Sequence, residues 1–161
     1  GSEMCIRDRY NAAGRDAYIV PEGVVFTTIN TFNRANWQIP APIIHPSSNS
    51  VYLFDMEGAY KFKYTAGAEV EGITFSSSGI AAIAIGRNVR NHDYGAHGAA
   101  VIGLINGKEL NRYHTKGPIQ AISISDDGKY AAGIEVPAVT PDGDLIGSYD
   151  LHIWNRENDN D

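Results

Sequence analysis

No apolar run in this 161-residue chain reaches the roughly 18 residues that a membrane-spanning helix needs. Positive charge is also scarce. Thirteen Lys and Arg stand against nineteen Asp and Glu, for a net charge of −6, and the basic residues are scattered rather than gathered in a patch. That balance disfavours nucleic acid and anionic membranes as partners. The sequence contains no Gly-x-Ser-x-Gly elbow, no phosphate-binding glycine loop and no His-Glu-x-x-His helix. No catalytic residue is therefore assigned and no cofactor is implied. Asp142-Gly143-Asp144 lacks the further carboxylates of a twelve-residue calcium loop and reads as a turn.

Cysteine is nearly absent, and the single one, Cys5, falls in residues 1–9, Gly-Ser-Glu-Met-Cys-Ile-Arg-Asp-Arg. This stretch resembles the translation of a common transposon-type sequencing adapter at all nine positions. It is set aside as a non-native scar. What remains offers no disulfide, no thiolate nucleophile and no sulfur ligand for a metal.

What the chain does contain is a repeat. From Ile119, the run Ile-Gln-Ala-Ile-Ser-Ile reads as a short strand, Ser125-Asp-Asp-Gly128 as a hairpin turn and Tyr130 to Ile134 as the returning strand. A loop punctuated by Pro137 and Pro141 leads to a third strand containing Leu151, Ile153 and Trp154. No helical stripe runs through it. The same unit occurs earlier as Val70-Glu-Gly-Ile-Thr-Phe, the turn ending at Gly79, an apolar return strand and a third strand around Val101. Gly79 and Gly128 are 49 residues apart, and Val51, Val101 and Leu151 mark third strands at intervals of 50. Fourth strands end at Tyr64 and again at Tyr113. The first of them, Tyr60-Lys-Phe-Lys-Tyr64, alternates apolar and basic residues as a half-buried outer strand does, with Lys61 and Lys63 on its solvated face. The first hairpin, Ala17 to Thr28 around Pro21-Glu22-Gly23, is less regular, and a long Pro-containing segment from Asn30 to Ser50 follows it.

A period of this size with four short strands per unit points to β-propeller blades. The fold expected is all-β: a propeller fragment of about three four-stranded antiparallel blades, the third incomplete, forming an open arc rather than a closed ring. The repeats are expected at about 15–66, 67–116 and 117–158 within a partial propeller 10–158, followed by the polar tail 159–161. Residues 10–14 read as the end of a fourth strand from a preceding blade, with the start of the chain cut and its end after the third strand at Trp154 genuine. With its Ser-x-Asp-Gly turn and its Tyr-Leu-Phe and His-Ile-Trp third strands, the chain resembles the WD40-like and quinoprotein-like propeller families over nearly all of Tyr10 to Trp154. Ile153-Trp154-Asn155 only approximates the WD40 Trp-Asp pair, and the quinoprotein cofactor-docking motif is absent.

The resemblance implies a noncatalytic binding or scaffold module that recognises a protein, peptide or glycan. The alternative is part of a quinoprotein-like or other enzymatic propeller whose chemistry lies elsewhere. In an antiparallel blade the connections after strands two and four emerge at one end, so the long loops should share a face. They carry Arg34, Asn36 and Trp37, then Arg90, His92 and Tyr94, the mixture of aromatic, Arg and amide side chains that interfaces favour. These six are the expected partner-binding residues. His92, Asp93 and His97 share one polar loop and are the candidates for a metal, although their spacing matches no standard structural site. His45, His114 and His152 read as surface histidines.

Overall fold

The computed structural model of the chain describes residues 14–29, 47–86, 96–140 and 142–158. Two compact units divide it, Gly1–Thr65 and Ala66–Asp161. The expected all-β architecture is present: antiparallel sheets that follow the chain up and down, none closed into a barrel among the described residues. No helix among the described residues is long and apolar enough to cross a membrane.

The first unit holds one four-stranded sheet, β1 (Gly14–Val20), β2 (Gly23–Thr28), β3 (Ser50–Phe54) and β4 (Tyr60–Thr65), paired in chain order. Gly14 belongs to the opening strand of this sheet, and the rest of the segment expected as a preceding blade's tail lies outside the described residues. Phe26 stacks on Tyr52 and on Phe54, with centroids 5.1 and 5.5 Å away. These rings form an apolar cluster on one face of the sheet. On β4 the Lys61 ammonium lies 3.5 Å from Asp55, and Lys63 reaches over the Tyr52 ring, so the outer-strand lysines cover the sheet with their stems.

The second unit stacks two sheets. One is β5 (Val70–Ser76), β6 (Ile80–Ile85), β7 (Gly98–Gly103) and β8 (Glu109–His114), in that order. The other runs β13 (Asp150–Asn155), β10 (Tyr130–Glu135), β9 (Ile119–Ile124) and has three strands. Strand β6, Ile-Ala-Ala-Ile-Ala-Ile, is buried at every position, which explains its continuous apolar sequence and its small side chains. Ile80, Ala82 and Val101 on the first sheet pack with Ala131, Ile122, Ile124 and Trp154 on the second. The hairpin tips are tied as well. Ser76 Oγ donates to the Asp126 carbonyl, and Arg156 donates to Asn111 Oδ1 at 2.7 Å and to the Gly128 carbonyl.

Between β10 and β13 the chain departs from the plain loop expected, because β11 (Ala138–Val139) pairs with β12 (Leu145–Ile146) in a miniature hairpin. Its tip is the Asp142-Gly143 turn, where Gly143 has φ 88° and its N–H donates to the Thr140 carbonyl at 2.9 Å.

Candidate functional site

Strand polarity brings the connections after β6, β8 and β10 to one end of the second unit. The Gly86 N–H donates to Glu69, Thr115 to His97, and Val136 to Pro118, each to a backbone carbonyl at 2.8 to 3.0 Å. Arg112 adds a side-chain brace, its guanidinium donating to the Ala66 and Ala96 carbonyls.

At this end the β10–β13 ladder gathers three side chains of types that can ligate a metal. Glu135 is the register partner of Asp150, and Gly133 is the partner of His152, so Glu135, Asp150 and His152 project from the same face of adjacent strands. Glu135 is only 4% exposed, Asp150 is exposed and His152 lies between. Glu135 Oε1 is 3.0 Å from His152 Nε2, and Glu135 Oε2 accepts the Ser148 N–H at 2.9 Å. Ser148 Oγ donates to Asp150 Oδ2, which extends the chain of contacts to the third side chain. One donor atom from each of the three side chains lies within 4.8 Å of the other two.

Two features hold the cluster in place. The His152 ring stacks on Trp154 at 5.5 Å and 6°, and Trp154 stacks in turn on Tyr113 of the opposite sheet at 4.7 Å and 7°. Gly133 leaves room for this stack, since a Cβ there would come within 3.0 Å of Trp154. The second feature is a close approach of two loops: a Cβ on Gly147 would lie 2.5 Å from the Gly117 Cα and 2.9 Å from Glu135 Oε2. Two glycines thus let Ser148 reach the buried carboxylate. Beside them opens a groove of about 700 Å³ lined by Thr115, Lys116, Leu145, Ile146, Gly147 and Ser148.

Most of the site residues expected from sequence are not among the described ones. Arg34, Asn36, Trp37, Arg90, His92, Asp93 and Tyr94 lie outside the described residues. His97, the third metal candidate, is described and buried, with Nδ1 donating to the Lys116 carbonyl at 3.0 Å. His152, expected at the surface, is partly exposed, and its Nε2 meets Glu135 Oε1. Sequence reasoning missed Glu135 and Asp150 as its companions. The signal was an Asp-x-His pair in a strand whose partner strand ends in Glu, and register was needed to align them.

No family model matches the chain, and no curated protein does. Solved structures similar to it include a Kluyveromyces marxianus Hsv2, at 13% identity and TM-score 0.47 over 94% of this chain and 50% of that one. The Hsv2 of Kluyveromyces lactis is 13% identical, with TM-score 0.43, over 92% of this chain and 51% of that one. A eukaryotic initiation factor is 17% identical, with TM-score 0.46, over 68% of this chain and 24% of that one. The chain thus spans about half the length of the Hsv2 proteins and about a quarter of the initiation factor.

Proposed function

We propose that this chain is part of a noncatalytic, propeller-type binding scaffold, which recognises a protein, peptide or glycan through loops at one end of its sheets. The observation supporting this reading is the convergence, in the second unit, of the connections after β6, β8 and β10 beside an open groove. Loops on a rigid β framework are the usual carriers of recognition. The groove combines the Lys116 cation, the Thr115 and Ser148 hydroxyls and the apolar Leu145 and Ile146. A polar and apolar mixture of this kind suits a peptide or sugar edge better than a buried small molecule. Arg34, Asn36 and Trp37, with Arg90, His92 and Tyr94, belong to the same reading as loop residues.

The test is a glycan array and a displayed peptide library probed with the whole chain. A ligand recovered from either should lose about tenfold or more in affinity when Lys116→Glu is combined with Tyr94→Ala. Undiminished binding by that variant, or no enrichment from either library, would overturn the proposal.

A further inference from the structure

We propose that Glu135, Asp150 and His152 form a binding site for a first-row divalent transition-metal ion. Placing Glu135 directly across the ladder from Asp150 sets two carboxyl groups side by side, an arrangement that a cation between them would stabilise. The burial of Glu135 sharpens the demand, since an ionised carboxylate taken out of water needs strong compensation. Its partners are one backbone N–H and one imidazole nitrogen. A divalent ion at this point would add positive charge next to both carboxylates.

The donor set also selects the ion. One nitrogen and two carboxylate oxygens suit zinc, cobalt, manganese or iron, while calcium and magnesium prefer oxygen alone. The three donors stand on two hydrogen-bonded strands, and the stack on Trp154 and Tyr113 fixes the imidazole plane, so the site is preorganised. Ser148, which touches both carboxylates, also lines the groove. The site does not depend on the binding role proposed above.

Cobalt(II) titrated into the whole chain, followed by its visible absorption, with zinc competition, tests the site. The expected result is a band of a low-coordinate nitrogen- and oxygen-bound ion that zinc displaces. Asp150→Asn and His152→Gln should each weaken binding about tenfold or more, while His114→Gln should leave it unchanged. Asp150 is exposed, so its variant keeps the fold, which circular dichroism checks. Calcium and magnesium should not compete. Failure to bind cobalt or zinc, or a band retained in both the Asp150 and His152 variants, would overturn the assignment.

Discussion

Trp154 on β13 lies flat against Tyr113 on β8, so the outermost described strand of one sheet is joined to the outermost strand of the next by a ring stack with centroids 4.7 Å apart. The stack continues to His152, which makes Trp154 a link between the packing of the two sheets and the Glu135 cluster. Trp154→Ala should cost about 2–4 kcal/mol, somewhat below the usual range for a fully buried Trp because this one is only half-buried. Urea unfolding measures it. Ile153→Ala, on the exposed side of the same strand, should change stability by under about 1 kcal/mol. Equal effects at the two positions would contradict the described facing of β13.

Gly147 and Gly143 make a paired test of the loop above Glu135. Both have positive φ, 77° and 88°, so alanine is strained at either one, by about 1–2 kcal/mol. Only at Gly147 would the added methyl also strike a backbone, the Gly117 Cα. Gly147→Ala should therefore destabilise the chain more than Gly143→Ala, where nothing lies within 4 Å, and should lower metal affinity as well. Thermal unfolding of the two variants checks the order.

Two turn carboxylates should give the stability curve an acid limb. The Asp55 carboxyl is held below its ordinary value of 3.8, chiefly by the Ala59 N–H, with further help from the Glu57 N–H and Lys61. The Asp127 carboxyl is likewise lowered, first by the Lys129 N–H and then by the Ser125 hydroxyl. A carboxyl whose folded value is depressed stabilises the chain fully above its unfolded value, and that stabilisation is lost as pH falls through the folded one. Stability should thus decline below about pH 4, and Asp55→Asn with Asp127→Asn should flatten the decline. An unchanged acid limb in the double variant would place its origin elsewhere.

Much of the architecture was legible because strand patterns and turn residues are local. Ser125-Asp-Asp-Gly128 forms its hairpin turn, with the Gly128 N–H donating to the Ser125 carbonyl, and the apolar run of β6 is the central strand it resembles. The Glu135 cluster was not legible, since its members are separated by up to 17 residues and meet only through the β10–β13 register. The facing of β13 was hidden for a related reason. Leu151 and Ile153 carry the obvious apolar signal, yet they are 66% and 67% exposed, while His152 and Trp154 turn inward. An alternating strand announces two faces without saying which one a neighbour covers.

That exposed face leads to the last prediction. On the first sheet of the second unit, Ala82 pairs with Val101, and the face they share is covered by Ile122, Ile124, Ala131 and Trp154 of the second. The corresponding pair one repeat later is Ala132 with Ile153, flanked by Ile134 with Leu151. By position this face should be covered in the same way, but Ile134, Leu151 and Ile153 are exposed. Contiguous apolar groups on a sheet face, beside a strand with no further partner among the described strands, favour association. The chain is therefore expected to self-associate as its concentration rises, and Leu151→Lys with Ile153→Lys should raise the dissociation constant by about tenfold or more, since each lysine must be desolvated on contact. Sedimentation velocity over a concentration series reads both. A wild-type chain that stays monomeric throughout, or a double variant that associates as strongly, would mean that this face does not drive association.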